Sequence, residues 1–345
     1  MRAMIMNTIG GPLEVREVAD PAAPDGGVVV RVMATGLCRS DWHAWAGHDD
    51  DITVPHIPGH ELAGVVHAVG AGVERWGVGD RVTVPFVCGC GACEWCRAGD
   101  AQVCPNQQQP GFTHDGSFAE LVALHAADTN LVAIPDDVSY EAAAALGCRF
   151  ATAYRALTAR AEVQPGEWVA VVGAGGVGLS AVMIAAALGA RPIAIDRTPA
   201  ALGLAERLGA EHGLLSDGSD VAARVHELTG GAHVAVDAVG HPQTAADAVL
   251  SLRRRGRHVQ VGLLPSDDGL TPMPMARAIA WELDLLGSHG MSAADYPGML
   301  ALIAAGTLRP DELVDRVVGL EEAAALLPGV GAASPTGMTM IDPRR

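Results

Sequence analysis

The stretch CRSDWH, residues 38–43, brings a thiol, a guanidinium, a hydroxyl, a carboxylate and an imidazole into six consecutive positions. Thiolates and imidazoles are metal ligands, and imidazoles, carboxylates and hydroxyls can also move protons. This loop is therefore a candidate for catalysis. The kind of chemistry depends on what the rest of the chain brings to it.

Four more cysteines follow the pattern C-x2-C-x2-C-x7-C, at Cys90, Cys93, Cys96 and Cys104. Four thiolates in one short loop suit a closed tetrahedral zinc, and metal binding can organise a lobe that is too poor in apolar residues to fold alone. The alternative is four buried free thiols, and the glycine-rich and charged surroundings argue against it. The pattern predicts a structural zinc, with Cys88 as a bystander.

The stretch VVGAGGVGLSAVMIAAALG carries the pattern G-x-G-x-x-G at Gly173, Gly175 and Gly178, between an apolar strand and a helix. Positions without side chains let a pyrophosphate approach the backbone and lie at the helix N-terminus. Gly176 and Val177 belong to the same turn. The pattern predicts a dinucleotide-binding site in this context of strand and helix.

An acidic residue, Asp196, ends the next strand eighteen residues after Gly178. Its carboxylate is expected to bind the ribose hydroxyls and to repel an added phosphate, which favours NAD over NADP. The adjoining Arg197 could instead tolerate a phosphate, lie over the adenine or lie in solvent.

Composition limits the class of protein. The 345 residues suggest two domains, and the formal net charge of −17 argues against a nucleic-acid partner because no basic surplus exists to displace counterions. No apolar run reaches the length of a membrane span, and the N-terminal stretch lacks the features of an export signal. We expect a soluble, cytoplasmic protein whose cysteines bind metal or react rather than form disulfides.

The order of elements predicts two architectures. Short β-rich runs punctuated by glycine and proline predict an all-β, barrel-like body over residues 1–150. After an Ala-rich stretch that resembles a helix pair, strands alternate with helices over 151–289 and predict a doubly wound parallel sheet. The end of the chain, 290–345, is expected to fold back onto the first domain. The basic run Arg253–Arg255 is interpreted as a helix end or loop.

A third motif carries a family resemblance. The stretch GHELAGVVHAVGAGV fits the pattern G-H-E-x2-G-x5-G-x2-V at every fixed position. Together with the cysteine lobe and the glycine turn in the same order, it resembles the zinc-dependent medium-chain alcohol dehydrogenases over essentially the whole chain. GFTHDGSF and HAWAG are similar to the microbial branch. The resemblance implies a GroES-like catalytic domain followed by a Rossmann domain.

The resemblance implies a catalytic zinc held by Cys38, His60 and Cys148, with a fourth position open to water or substrate. Glu61 is implied as an inner carboxylate able to approach the metal. Asp41 would fix the tautomer of His60.

The same resemblance assigns the other residues of the first loop. Arg39 is similar to the arginine that meets the cofactor pyrophosphate, Ser40 to the hydroxyl that takes the alcohol proton, and His43 to the exit of the proton relay. Thr152 occupies the family position that presses on the nicotinamide, although an ordinary helical threonine is an alternative. Met338 departs from the family, because many members have an arginine there.

The substrate pocket follows less directly from the sequence. Ser40, Trp45 and Phe86 would line it by resemblance, with Trp42 as a further candidate, although each aromatic ring could equally pack in a core. Ser40 is smaller than the threonine of some relatives. This predicts a pocket for medium-sized primary, benzylic or secondary alcohols.

The sequence therefore predicts an NAD-dependent zinc alcohol dehydrogenase with two zinc ions per chain, acting on small alcohols, aldehydes or ketones. The alternatives are a polyol or amino-alcohol dehydrogenase of the same superfamily, which the third ligand Cys148 disfavours, and a non-catalytic protein that binds zinc and nucleotide. Analogy predicts a homo-oligomer, with a tetramer favoured over a dimer, and no membrane partner.

Overall fold

The β-rich runs and the Ala- and Leu-rich stretches of the sequence form the strands and helices of a computed structural model that describes residues 1–49, 51–264, 270–331 and 337–345. The strands are β1 (Arg2–Met6), β2 (Leu13–Glu17), β3 (Val28–Leu37), β4 (Glu61–Val69), β5 (Arg81–Thr83), β6 (Leu121–Leu124), β7 (Val132–Ala133), β8 (Trp168–Val172), β9 (Arg191–Asp196), β10 (His212–Leu215), β11 (Ala232–Asp237), β12 (Leu252–Gln260), β13 (Asp284–Gly287), β14 (Val314–Val318) and β15 (Met338–Ile341). The helices are α1 (Arg39–Trp45), α2 (Glu94–Ala98), α3 (Ala127–Asn130), α4 (Tyr140–Ala145), α5 (Ala151–Arg155), α6 (Gly176–Ala187), α7 (Pro199–Arg207), α8 (Val221–Thr229), α9 (Pro242–Leu250), α10 (Met275–Trp281), α11 (Tyr296–Ala304) and α12 (Leu320–Leu326).

The chain separates into two compact units. The first contains Met1–Ala151 and most of the chain after Gly290, and the second contains Thr152–His289. Among the described residues, no helix is long and apolar enough to cross a membrane.

A seven-stranded sheet forms the body of the first unit. Its order is β14-β15-β3-β4-β5-β7, β6 pairs with β3, and β1 and β2 form a separate antiparallel pair. Alternate valines of β3, at Val28, Val30 and Val32, face a core that also contains Leu62 and Val82. The described ladders give an open strand order, so the closure of this sheet into a barrel stays a prediction.

The strand β3 is central to this unit because it pairs with β15, β4 and β6. It ends at Leu37, immediately before the CRSDWH loop. In the antiparallel ladder Gly36 lies opposite Glu61, so the end of β3 and the start of β4 meet at the same place. Chemistry-bearing residues that flank these two ends are thereby brought together.

The Ala-rich stretch after residue 139 differs from the predicted helix pair. From Tyr140 to Arg160 the backbone is helical without interruption, and the segments Leu146–Phe150 and Ala156–Arg160 are π-helical turns. A π-helical turn adds a residue to the helical ladder and is frequent at functional sites. The first of these turns carries Cys148.

The second unit contains the predicted doubly wound sheet. Its six strands are all parallel and have the order β10-β9-β8-β11-β12-β13. The chain adds strands to one side of β8 up to β10 and then continues on the other side from β11. The strand β8 is buried along its whole length, as expected for a strand covered on both faces. Ligands of such sheets bind beyond the carboxyl ends of the strands, at the point where the strand order switches sides. Gly173 follows β8 at this point.

The three motif glycines of the second unit differ in what a side chain would meet at each position. Gly173 has a φ of +94°, which is unfavourable for other residues, and a Cβ at Gly178 would lie 1.7 Å from the Gly173 carbonyl oxygen. By contrast, a Cβ at Gly175 would meet no protein atom within 4 Å. The first and third glycines allow close packing of the turn, and the second leaves open space beside the backbone.

We expect Gly178→Ala to lower the free energy of unfolding by about 1–3 kcal/mol, because the added methyl group forces α6 away from β8. Gly203→Ala in α7 is the matched control, since its nearest neighbour would be the flexible end of Arg207 at 4.0 Å. The control should stabilise the protein by about 0.5–1 kcal/mol. Urea unfolding followed by circular dichroism measures both, and stabilisation of equal size in the two variants would contradict the packing argument.

Candidate metal centre and cofactor turn

Three separate parts of the first unit deliver the predicted metal ligands. Cys38 follows β3, His60 precedes β4, and Cys148 lies in the π-helical turn after α4. The candidate ligand atoms of these residues and of Glu61 all lie within 4.8 Å of one another. All four side chains are buried, with Cys148 the most exposed at 9%.

The buried imidazole of His60 is oriented for one purpose. Its Nδ1 lies 2.9 Å from Oδ1 of Asp41, while its Nε2 is buried and has no hydrogen-bond partner in the described part of the chain. A buried polar atom without a partner is unfavourable unless something binds it. An imidazole nitrogen and two thiols around a small space are the donor set that zinc prefers, so these residues fit a zinc ion.

The carboxylate of Asp41 holds two parts of this centre at once. Its second oxygen, Oδ2, accepts a hydrogen bond from the backbone N–H of Cys38 at 2.8 Å. Burial opposes a charged His60, but the Asp41 carboxylate outweighs it and raises the pKa of the imidazole well above its ordinary value. Asp41 therefore fixes the ring of His60 and the backbone of Cys38 relative to each other.

The two thiols of the centre have opposite pKa shifts, so Cys38 favours the thiolate and Cys148 the protonated thiol. A hydrogen bond from Cys148 lowers the pKa of Cys38 well below its ordinary value, and the same bond, together with burial, raises the pKa of Cys148 well above it. Two adjacent buried thiolates repel each other, so the second proton leaves only when a cation arrives. The pair is thus suited to bind a dication with release of a proton.

Glu61 is held by a residue that the sequence analysis did not identify. Oε1 of Glu61 accepts hydrogen bonds from the backbone N–H of Arg149 at 3.0 Å and from its Nε at 2.9 Å, and Oε2 accepts one from Nη2. Burial raises the pKa of Glu61, and the Arg149 guanidinium opposes that rise. A Cβ at Gly36 would lie 2.2 Å from Oε2, so the glycine makes room for the ion pair.

The remaining residues of the CRSDWH loop lie on α1. Oγ of Ser40 is 3.8 Å from Sγ of Cys38, and the Arg39 guanidinium donates to the carbonyl of Gly331 at 2.8 Å. Nδ1 of His43 lies 2.9 Å from Nδ1 of His48, a second residue that the sequence analysis missed. Ser40 and His43 are three residues apart on one helix and therefore share a face.

The predicted pocket aromatics have different surroundings. The Phe86 ring lies edge-on to His60 with 6.0 Å between ring centroids, which places it at the metal centre. Trp45 donates its indole N–H to the Gly11 carbonyl at 2.8 Å and packs, as Trp42 does, against a buried cluster of the first unit. Phe86 is therefore the pocket candidate that contacts a metal-centre residue.

The four-cysteine lobe brings its sulfur atoms together. Ligand atoms of Cys90, Cys93, Cys96 and Cys104 lie within 4.8 Å of one another, and Sγ of Cys93 is 3.5 Å from that of Cys96 and 3.7 Å from that of Cys104. Backbone N–H groups point at Sγ of Cys93 and of Cys104 from 3.3–3.4 Å. Four converging sulfurs, two of which accept these backbone hydrogen bonds, fit a tetrahedral zinc.

Cys88 differs from the four lobe cysteines. Its thiol is buried 3.4 Å from the carbonyl of Pro85, and burial raises its pKa to about 12. A thiol held in the protonated form is neither a good ligand nor a good nucleophile.

Most of the predicted cofactor residues lie in the second unit, whereas Arg39 and Met338 belong to the first. Asp196 accepts the backbone N–H groups of Ala174 and Thr198, each at 2.8 Å, so its carboxylate is fixed beside the glycine turn. Gly175 is exposed and caps the N-terminus of α6, with Gly176 and Val177 in its first turn.

The other predicted cofactor residues differ in exposure. Arg197 is exposed and Thr152 is buried. Met338 is completely buried in β15.

We expect Arg149→Met to lower the free energy of unfolding by about 3–5 kcal/mol, because it leaves the buried Glu61 carboxylate without its cation. The double variant Arg149→Met with Glu61→Gln should recover part of this loss. Arg207→Met on the exposed face of α7 is the matched control, with a change of about 0.5 kcal/mol or less. Urea unfolding of the zinc-loaded protein measures all three. A double variant that is no more stable than Arg149→Met alone would contradict the ion-pair argument.

Comparisons with known proteins agree with this geometry. Residues 24–136 match the family described as "Alcohol dehydrogenase GroES-like domain", and residues 176–305 match "Zinc-binding dehydrogenase". The chain is 36% identical over 313 residues to an alcohol dehydrogenase of Geobacillus stearothermophilus, with 90% of each chain covered.

Solved structures give the same result. One described as an NAD-dependent alcohol dehydrogenase has a TM-score of 0.90 at 32% identity and covers 99% of each chain. Galactitol-1-phosphate dehydrogenase from Escherichia coli has a TM-score of 0.88 at 26% identity and covers 99% of this chain and all of the other. The predicted family is confirmed: the chain belongs to the zinc-dependent medium-chain alcohol dehydrogenases.

Proposed function

We propose that this protein transfers hydride reversibly between a small primary or secondary alcohol and NAD, giving an aldehyde or ketone. The observation that carries the proposal is the buried set of Cys38, Cys148 and the unpartnered Nε2 of His60. Three protein ligands leave a fourth position open, which is the arrangement of a catalytic zinc and not of a structural one. We assign residues 1–150 with 290–345 to the catalytic domain and 151–289 to NAD binding.

The residues of the centre have distinct roles in this proposal. When bound, zinc would lower the pKa of an alcohol hydroxyl and the nicotinamide would accept the hydride. Asp41 holds the Nδ1–H of His60 and so keeps Nε2 available as a ligand. Arg149 neutralises Glu61 and keeps its carboxylate from competing for the open position.

The proton of the alcohol needs its own route. Ser40 lies beside Cys38, which supports its proposed role as acceptor of that proton, and His43 on the same face of α1 is proposed to carry it onward. Phe86, next to His60, forms an apolar wall of the substrate site. The small side chain of Ser40 supports a preference for medium-sized primary, benzylic or secondary alcohols.

The proposed cofactors are NAD and two zinc ions per chain. The fixed carboxylate of Asp196 beside the glycine turn supports NAD, because it would repel the additional phosphate of NADP. Arg39 is proposed to supply positive charge to the pyrophosphate, since Met338 offers none. The cysteine lobe is proposed to hold the second, structural zinc.

The proposed assembly is a homo-oligomer, a tetramer in preference to a dimer. β13 is the last strand in the order of the parallel sheet, and Met275, Ile279 and Leu285 near it are exposed apolar side chains. An open sheet edge beside exposed apolar residues favours pairing with a second copy. Seven cysteines without a disulfide support a reducing, cytoplasmic location.

The decisive experiment follows reduction of NAD or NADP at 340 nm with ethanol, 1-hexanol, benzyl alcohol, 2-butanol and sorbitol, before and after chelation. We expect turnover with NAD that disappears on chelation and returns with zinc. Cys148→Ser should lose turnover, whereas Cys88→Ser, the matched control, should retain it, because Cys88 lies outside both metal clusters. Turnover of sorbitol alone would favour the polyol alternative. Two bound zinc ions without turnover of any alcohol or polyol would favour the non-catalytic one.

A further inference from the structure

The end of α1 places His48 next to His43 through the backbone. Gly47 has a φ of +80°, its N–H donates to the carbonyl of Ala44 at 3.2 Å, and the N–H of His48 donates to the carbonyl of His43 at 3.0 Å. These two bonds after a left-handed glycine are the Schellman motif that ends many helices. The position of His48 over the last turn of α1 is therefore fixed by the main chain.

The two imidazoles form a direct hydrogen bond. Their Nδ1 atoms are 2.9 Å apart, so one nitrogen carries the proton and the other offers a lone pair. Trp42 contacts both rings edge-on, at centroid distances of 5.0 Å and 5.4 Å. His43 is half-buried and His48 is exposed, so the pair runs from the loop toward solvent.

The surroundings of His43 discourage it from keeping a proton. Burial lowers its pKa, and the neighbouring His48 and Arg39 lower it further, against a smaller opposing effect of Cys38. A proton acceptor of this kind needs a following group that releases the proton to water. The exposed neighbour His48 satisfies that need.

We propose that His48 is the exit of the proton relay, one imidazole beyond His43. In alcohol oxidation, the Nδ1–H bond of a protonated His43 breaks as an Nδ1–H bond forms on His48, and His48 then gives a proton to water or buffer. In carbonyl reduction the same transfer runs in reverse. The step transfers only a proton, and no oxidation state changes. The proposal rests on the proposed function, because His43 receives the proton only if the enzyme oxidises alcohols.

The test compares wild type with His48→Asn, which removes the second imidazole and leaves the backbone bonds of the Schellman motif. His67→Asn is the matched control, since His67 is an exposed histidine on β4 outside the site. At pH 7 in weak buffer we expect His48→Asn to lower kcat for alcohol oxidation about tenfold with little change in KM. The control should equal wild type.

Rescue separates a relay role from a structural one. Imidazole added as a buffer should restore kcat of His48→Asn but not alter the control, because a small base can take the proton directly from His43. The loss of kcat should also be smaller at high pH, because hydroxide can take the proton from His43. An unchanged kcat in weak buffer, or a loss that neither imidazole nor high pH reduces, would overturn the proposal.

A measurement without turnover keeps the two proposals separate. Nitrogen NMR of the histidine rings should show that His48→Asn raises the pKa of His43 and changes the signal of its Nδ1. If wild type oxidised no alcohol, the proposed function would fail, and this titration would still report on the pair. An unaltered His43 titration would overturn the relay, because the two rings would then not be coupled.

Discussion

Two cysteine thiols, an imidazole and a carboxylate buried within a few ångströms of one another form the constraint on which the rest of this structure depends. Buried like charges repel, and each must be compensated by a cation or a hydrogen bond. Arg149 compensates Glu61, Asp41 holds His60, and the thiols remain for a dication. Without a metal, these buried thiols would destabilise the first unit. The same thiols therefore favour binding of a metal ion.

The fold serves the centre by bringing strand ends together. β3 pairs with three strands, and its carboxyl end carries the CRSDWH loop to the start of β4, while a π-helical turn adds Cys148. Gly36 at this junction leaves the room that the Glu61 and Arg149 side chains occupy. Because these contacts come from the most strongly paired part of the sheet, the positions of the ligands are coupled to the stability of the first unit.

Much of this could be predicted from the sequence because the strongest signals are local. Cysteine spacing, the glycine turn and the alternation of strands and helices each follow from a short stretch, and the family and the Rossmann-type sheet were predicted from them. The barrel was a weaker inference, since strand closure depends on distant pairings. The interpretation of the basic run Arg253–Arg255 as a helix end or loop is wrong, because these residues lie in β12, where Arg254 stacks on Trp281. The role of Arg149 could not be predicted because its partner Glu61 is 88 residues away in the chain. The role of His48 could not be predicted because its position depends on how α1 ends.

The central claim is that Cys38, His60 and Cys148 form one metal site and the four lobe cysteines another. X-ray absorption at the zinc edge of the loaded protein tests it directly. Two zinc ions, one in each site, should give an average of about three sulfur ligands per zinc at about 2.3 Å, together with a nitrogen or oxygen shell at about 2.0–2.1 Å. Four sulfur ligands per zinc without that shell would contradict the account, because only the cysteine lobe would then bind the metal.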